Sequence, residues 1–206
     1  RGKNIKLKME SSRPKFTRIK IDDVVFLQCD IQVKMAKLIK DLPIVAKNAS
    51  RLAKAAKIFG IPLIVTEQYI KAFGETYKDI VDEYPEGTKS YEKSIFSMMT
   101  EEVTEQLQGF KVSTVVLYGI EAHVCIQQTA LDLIEMGYNV FLLTDTVSSS
   151  RELERSTAIV RMTQAGVQMT TLESVLFEIL GHSKHEKFKS ILEIVKDVPD
   201  TPLSKL

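Results

Sequence analysis

The sequence predicts a single α/β domain in three layers, with a mostly parallel central sheet and helices on both of its faces. Near-continuous apolar runs are typical of strands that helices cover on both sides. These runs occupy residues 24–28, 61–65, 114–118 and 139–143. A helical segment, a glycine and a strand also follow one another three times. Glycine favours the left-handed position at a helix end, which Gly60, Gly137 and Gly166 would fill.

The segments between the strands fit this scheme. Residues 44–59 have apolar side chains at helical spacing, so one face of this helix packs on the sheet. A second helix, 124–136, starts at a cysteine. Val167–Thr171 follows Gly166 and predicts a further strand. Residues 67–93 have the least regular pattern and are rich in polar residues, glycine and proline.

Two capping boxes are predicted in the last third of the chain. In such a box a serine and a glutamate three residues later bond the first amides of a helix. Ser149 with Glu152 would begin a helix over 150–165, and Ser183 with Glu186 would begin one over 184–196.

Composition bounds the domain organisation and the function classes. The 206 residues suffice for one domain, which we place at 21–196, between a flexible basic arm (1–20) and a tail (197–206). A net charge of +1 gives no field that favours nucleic acid or an anionic membrane, and no apolar run reaches membrane-spanning length. Two cysteines are too few for a disulfide framework, so we expect a reducing compartment.

The last three residues, Ser204, Lys205 and Leu206, match the peroxisomal import tripeptide. If Leu206 is a free terminus, this match predicts binding to the peroxisomal import receptor and a peroxisomal location. The cytoplasm is the alternative location, because the tail could pack against the domain.

The stretch 112–129 carries the strongest chemical signal: an apolar strand, a glycine, and Cys125 at the start of a helix. Unpaired amides and the helix dipole at such a position favour thiolate over thiol. The other reading is that Cys125 is a small buried hydrophobe. Cys29 is the rival nucleophile. It lies within a strand and next to Asp30, so we expect it to be a core residue whose side chain points away from the Asp30 side chain.

Other polar residues could complete a site with this thiol. Asp30, Glu67 and Cys125 each follow a strand, so they fall on one edge of the sheet, where ligands bind in open α/β folds. Lys93 lies in a polar loop before Phe96. Asp30 could equally be a cap or turn residue, and Lys93 a solvated loop lysine.

These residue types suit a cysteine hydrolase, which needs a thiolate, a base and donors for an oxyanion. Asp30 could be the base, a nearby lysine would stabilise both negative groups, and amides of the 120–125 turn could bind the oxyanion. His123 could be taken for the base, but in a tight turn we expect it to line the pocket.

The run from Gly119 to Leu133 closely resembles the isochorismatase-like family of cysteine hydrolases. The resemblance covers about 22–195 and is strongest to the isochorismatase domain-containing proteins. Matching segments also lie at 29–32, 48–52, 60–69, 92–98 and 170–176. It implies a Rossmann-like isochorismatase fold, a catalytic set of Asp30, Lys93 and Cys125, and a homo-oligomer. It also implies a cis peptide between Ile120 and Glu121, with the amides of Glu121 and Cys125 as oxyanion donors.

One departure from the family pattern bears on metal binding. Nicotinamidases of the superfamily carry an Asp-x-His metal-binding segment where this chain has Glu67, Gln68 and Tyr69. A metal-dependent nicotinamidase is therefore disfavoured, and we expect no metal and no cofactor.

The sequence thus predicts hydrolysis of a small amide or related acyl substrate through a covalent Cys125 intermediate. We place Gln32, Glu67, Phe96 and His123 in the substrate pocket. The competing hypothesis is an inactive family member that acts as a binding or scaffold protein. A dinucleotide enzyme is a weaker third option, because no Gly-x-Gly-x-x-Gly follows any strand.

Overall fold

The computed structural model describes residues 17–198. Most of the predicted basic arm and the tripeptide Ser204–Leu206 therefore lie outside the described residues. At the start of the described chain, Ile19 is buried and its amide donates to Glu178 Oε1 (2.9 Å). Residues 17–20, which were assigned to the arm, thus run against the domain, because Ile19 supplies an apolar anchor between basic neighbours.

A six-stranded sheet forms the centre of the domain, and every neighbouring pair of its strands is parallel. The strands are β1 (Val24–Cys29), β2 (Leu63–Gln68), β3 (Lys89–Lys93), β4 (Thr114–Ile120), β5 (Asn139–Ser148) and β6 (Gln168–Thr170). Their spatial order is β3-β2-β1-β4-β5-β6. The order reverses between β1 and β4, and in open sheets the ligand crevice lies at such a reversal.

Helices connect the strands and cover both faces, which confirms the predicted fold class. They are α1 (Leu42–Phe59), α2 (Ile70–Phe73), α3 (Lys78–Val81), α4 (Glu101–Gly109), α5 (Gln127–Glu135), α6 (Glu152–Gln164), α7 (Leu172–Leu180) and α8 (Phe188–Lys196). Between residues 17 and 198 no helix is both long and apolar enough to cross a membrane.

Side-chain alternation along the central strands builds two separate cores. Phe26 of β1 packs into the core that α1, α7 and α8 cover, whereas its neighbour Leu27 packs into the core beneath α4, α5 and α6. Both side chains are fully buried, as expected for a strand covered on both faces.

The edges of the sheet differ most from the sequence-based expectation. β3 lies inside the segment that was predicted to be irregular, and its first residues, Lys89 and Ser90, are exposed. An edge strand of this kind lacks the apolar run that identifies a central strand. β5 extends to Ser148, five residues beyond the apolar run that predicted it.

Both predicted capping boxes are wrong. The residue that precedes α6 is Arg151 and the one that precedes α8 is Lys187, and neither caps its helix with its side chain. Ser149 instead has its hydroxyl 3.0 Å from His123 Nδ1. Side-chain caps are present at Thr100 for α4 and at Thr171 for α7.

Candidate active site

Cys125 follows β4, in a single π-helical turn that leads into α5. The peptide between Ile120 and Glu121 is cis, as the resemblance implied. The turn spans Ala122–Ile126, and the amide of Ile126 donates to the carbonyl of Glu121 (3.2 Å). Cys125 is 7% exposed. The thiol therefore lies at the switch point of the sheet, although α5 itself begins only at Gln127.

A glycine brings this turn close to the end of β1. Gly119 has φ of +122° and pairs with Cys29 in the β1–β4 register. A Cβ on Gly119 would overlap the carbonyl oxygen of Cys29. Only glycine therefore permits this approach of the two strands, which brings the residues after β4 beside those after β1.

Asp30 is the first residue after β1, and its backbone is left-handed (φ 52°). Its Oδ1 accepts a hydrogen bond from Thr66 Oγ1 (2.8 Å), and its Oδ2 accepts one from the thiol of Cys29 (3.3 Å). The prediction that Cys29 and Asp30 point to opposite faces is therefore wrong. Strand alternation stops at Cys29, and the left-handed backbone turns the carboxylate back toward the thiol.

Lys93 is not a loop lysine, as predicted, but the last residue of β3, and its side chain is fully buried. Its ammonium lies 2.8 Å from Asp30 Oδ2 and 3.6 Å from Cys125 Sγ. It also donates to Gln68 Oε1 (2.6 Å) and to the carbonyl of Phe96 (2.9 Å). The structure thus brings together Asp30, Lys93 and Cys125, with one cation between the carboxylate and the thiol.

Charge in this buried cluster acts in opposite directions on its cation and on its second thiol. Burial alone would lower the pKa of Lys93, but its neighbours Cys29, Asp30 and Cys125 together raise it above its ordinary value. Burial, followed by the hydrogen bond to Cys125 and the charge of Asp30, raises the pKa of Cys29 well above its ordinary value. Lys93 is therefore charged and Cys29 is a neutral thiol at pH 7.

Three ligand-type atoms of the cluster lie within 4.8 Å of one another: the two sulfurs, of Cys29 and Cys125, and a carboxylate oxygen of Asp30. Within 17–198 this is the one such group of three or more. A metal ion held there would lie beside another positive charge, the Lys93 ammonium, which is 2.8 Å from Asp30 Oδ2. The charge distribution therefore does not favour a resident cation.

Two of the four predicted pocket residues lie near this cluster. Phe96 directs its carbonyl at Lys93, while its side chain contributes to a residue exposure of 52%. His123 shares the turn of Cys125, but its Nδ1 lies near Ser149 Oγ rather than near the thiol. These contacts place both residues beside the cluster, and they give His123 no role as a base for Cys125.

The structure places the other two predicted pocket residues in hydrogen-bond networks of their own. The Gln32 side chain bonds both the amide and the carbonyl of Gln68 (2.8 and 2.9 Å). The Glu67 carboxylate accepts from Thr76 and from Ser90 Oγ (2.8 Å). Because Thr66 points at Asp30, the next residue along β2, Glu67, points to the other face of the sheet.

Sequence reasoning missed three residues that hold the cluster in place. Thr66 orients Asp30 and Gln68 accepts from Lys93, both from β2. Thr129 donates to the carbonyl of Cys125 (2.7 Å) and accepts from the amide of Met98 (2.8 Å). A signal existed for the first two, because polar residues end the apolar run of β2 at the edge where Asp30 was expected.

Comparison with known proteins assigns the chain to a family. The Isochorismatase domain model matches residues 24–174. The chain belongs to the isochorismatase family. Isochorismatase domain-containing protein 2 of Xenopus laevis is 41% identical to it over 185 residues, which are 89% of this chain and 88% of the relative. The family and its isochorismatase domain-containing subgroup are thereby confirmed.

Solved structures of similar proteins share the family fold. The structure of MAR1 ribonuclease from Caenorhabditis elegans superimposes with a TM-score of 0.86 at 40% identity, over 92% of this chain and all of that one. The YcaC gene product from Escherichia coli, an octameric hydrolase of unknown specificity, superimposes with a TM-score of 0.76 over 88% of this chain and 97% of that one. Its identity is 22%, so this second likeness shows the fold alone.

Proposed function

We propose that this isochorismatase-family protein is a cysteine hydrolase that acts on a small amide or related acyl substrate. The observation that carries the proposal is the position of the Lys93 ammonium, 2.8 Å from Asp30 and 3.6 Å from Cys125 Sγ inside the protein. A buried cation in this position stabilises the Asp30 carboxylate before the proton transfer and the Cys125 thiolate after it. Such a base and nucleophile are what nucleophilic catalysis at a carbonyl requires.

In the first half of the proposed reaction, the proton of the Cys125 thiol passes to Asp30 and the sulfur attacks the substrate carbonyl carbon. The amides of Glu121 and Cys125 are the proposed donors to the resulting oxyanion. The tetrahedral intermediate collapses as the C–N bond breaks, and Asp30 returns the proton to the leaving amine. A thioester on Cys125 remains.

In the second half, Asp30 takes a proton from a water molecule, and the hydroxide attacks the thioester carbonyl. The C–S bond breaks, the acid product leaves, and the proton on Asp30 returns to Cys125. Lys93 keeps its proton throughout, because the negative groups around it raise its pKa. Its role is to hold the charge of the thiolate and the carboxylate.

The first test identifies the reactive thiol without a known substrate. Limiting iodoacetamide at pH 7 is expected to label Cys125 in preference to Cys29, because the raised pKa of Cys29 keeps that sulfur a neutral thiol. Peptide mapping by mass spectrometry reads the site of the label. Preferential labelling of Cys29 would contradict the assignment.

The second test measures turnover on a panel of small amides, with free amine as the readout. Wild-type protein should hydrolyse at least one member, and Cys125→Ala should abolish this activity. Thr163→Ala, a change on the exposed face of α6, is the control and should keep it. A wild-type protein that binds panel members without turning them over would favour the competing binding-protein hypothesis.

The same panel should contain a short RNA oligonucleotide, because the similar protein from Caenorhabditis elegans has the name of a ribonuclease. We expect no cleavage, since the cluster is built around a sulfur nucleophile and the net charge of +1 provides little attraction for phosphates. Cleavage that Cys125→Ala abolishes would replace the amide hypothesis with a phosphodiesterase hypothesis.

Two properties beyond the site stay predictions. Peroxisomal import through Ser204–Leu206 is tested by fusing a fluorescent protein to the N-terminus and comparing the full chain with one that lacks Leu206. Punctate signal only with Leu206 would support import, and diffuse signal from both would contradict it.

Homo-oligomerisation is tested by sedimentation velocity, in which a single monomeric species would contradict it.

A further inference from the structure

Cys29 is a nucleophilic side chain that the proposed hydrolysis does not use. Cys29 and Cys125 are the two cysteines of the chain, both are free thiols, and both are buried. Yet their sulfurs lie within 4.8 Å of each other and of a carboxylate oxygen of Asp30. A methyl group would fill the core at Cys29 without bringing a second sulfur beside the nucleophile.

The proton of the Cys29 thiol already has an acceptor. Its Sγ lies 3.3 Å from Asp30 Oδ2, the oxygen that also faces Lys93. A carboxylate that accepts from a thiol is positioned to remove its proton once an electrophile is beside the sulfur. The raised pKa of Cys29 keeps the thiol protonated until then.

From this juxtaposition we propose that Cys29 and Cys125 form a reversible disulfide when a hydroperoxide oxidises the site. The disulfide makes Cys125 unavailable as a nucleophile and prevents its irreversible oxidation. Cys29 is therefore the resolving thiol of a redox-sensitive site, a role separate from the hydrolysis proposed above.

The chemistry balances with the hydroperoxide as the oxidant. The Cys125 thiol gives its proton to Asp30, and its sulfur attacks the outer peroxide oxygen. The O–O bond breaks, and the alkoxide or hydroxide that leaves takes the proton from Asp30, so that Cys125 becomes a sulfenic acid. Asp30 then removes the proton of Cys29, and the Cys29 sulfur attacks the Cys125 sulfur. The S–O bond breaks, and the departing hydroxide takes the proton from Asp30 and becomes water.

The backbone around the two cysteines determines which of them moves when the disulfide forms. A disulfide needs its sulfurs at about 2.0 Å, so they must approach from their separation in the reduced state. Cys29 is fixed in the sheet by pairs with Thr66 and Gly119 on its two sides. Cys125 lies in a single π turn after the sheet, so rotation of its side chain and a small shift of this turn bring the sulfurs together.

The test exposes the full-length protein to hydrogen peroxide and measures its intact mass after the remaining thiols have been alkylated in denaturant. Wild type should lose two hydrogen atoms and take up no alkyl group, and dithiothreitol should restore two alkylatable thiols. The tryptic peptides 21–34 and 112–151 should be recovered as one linked species before reduction. Cys29→Ser should instead gain two or three oxygen atoms on Cys125, which dithiothreitol does not remove.

Cys29→Ala serves as a second variant in case the serine hydroxyl disturbs the core, and thermal melting establishes that each variant is folded. Either variant, if folded, should show the irreversible oxidation. Wild type that oxidises to sulfinic acid at the same rate as the variants, with no linked peptide, would overturn the proposal. A linked species that migrates as a covalent dimer on a non-reducing gel would overturn it as well. No result depends on a hydrolase substrate, so the inference can fail while the proposed function stands.

Discussion

Two buried cations in this fold, Lys93 and Arg51, have opposite surroundings. Arg51 is 4% exposed and donates to neutral acceptors: the carbonyls of Ile194 and Val195 at the end of α8 (3.0 and 3.1 Å) and Asn48 Oδ1 (2.8 Å). Lys93 has equally little contact with solvent, but it faces a carboxylate and a thiol. One cation joins a helix end to α1, and the other lies among groups that can react.

The pKa shifts follow this difference. Burial lowers the pKa of Arg51, and the more distant charge of Asp145 offsets it only in part. Around Lys93 the neighbouring negative charges outweigh burial, so its pKa rises. The neighbours of a buried cation therefore indicate its role. Carbonyl neighbours indicate a structural cation, and a nucleophile beside a carboxylate indicates a reactive site.

The largest expected effect comes from removing the cation of the site. Lys93→Ala leaves the Asp30 carboxylate buried without its ion-pair partner, so the free energy of unfolding should fall by about 3–5 kcal/mol. The double variant Lys93→Ala/Asp30→Asn should recover much of this loss. Urea denaturation measures both, and an unchanged stability of the single variant would mean that the pair is not buried in solution.

The same two variants separate stability from reactivity. Alkylation of Cys125 at pH 7 should be slower in both than in wild type, since neither retains the charge that stabilises the thiolate. Recovery of the alkylation rate in the double variant would show that Lys93 acts only on stability.

Replacing Arg51 should lower stability by less than the loss of Lys93 does, and it should leave the reactivity of Cys125 unchanged. Arg51→Met keeps much of the side-chain volume but leaves the carbonyls at the end of α8 without their donors, so the free energy of unfolding should fall by about 2 kcal/mol. The rate of Cys125 alkylation should not change. A variant that unfolds as expected but also alkylates more slowly would break the distinction between the two regions.

Alkaline pH should destabilise the cluster through Cys29. Its folded-state pKa is raised above the ordinary value of 9.0, so the stabilisation is fully present below pH 9 and is lost as the pH rises above it. The expected loss is about 1.4 kcal/mol per pH unit. Lys93 adds a loss of the same sign only above 10.5. Urea denaturation at pH 8 and pH 10 measures this loss, which should be smaller in Cys29→Ala than in wild type. An equal loss of stability in the two proteins would contradict the prediction.

The smallest effect should come from an exposed ion pair. Lys47 Nζ lies 2.6 Å from Asp197 Oδ2, and both side chains are more than two-fifths exposed. The hydrogen bond to Lys47 lowers the pKa of Asp197. Lys47→Ala should change the free energy of unfolding by less than about 1 kcal/mol, and less still in 1 M salt. A larger loss at high salt would indicate packing rather than charge.

The central part of the fold could be predicted because its strands are buried on both faces. β1 and β4 are buried throughout and mostly apolar for that reason, and the fold class follows from them. β3 was missed because only one of its edges is paired and its side chains are mostly exposed. The Ser149–Glu152 pattern failed because the Ser149 hydroxyl lies beside His123, a tertiary contact that no local pattern contains.

The site was predictable to a similar extent. Asp30 and Cys125 follow strands that the apolar pattern identifies, so they could be assigned to one edge of the sheet. Lys93 could be assigned only through the family resemblance, since its strand was not predicted. The role of Thr66 depends on the register of β1 against β2, which pairs it with Cys29, and register is a property of the assembled sheet.

The close backbone contact at Gly119 restricts which alleles of the gene can preserve the site. Every missense change at a glycine codon adds a Cβ, and here that atom would overlap the backbone of β1 rather than a side chain that could turn aside. Gly60 also has positive φ, but a Cβ there meets nothing within 4 Å, so aspartate, which one nucleotide change can produce from a glycine codon, is tolerable at that position. At codon 119 no single-nucleotide missense allele is conservative, and a lineage can retain the fold with its thiol and carboxylate side by side only by retaining glycine there.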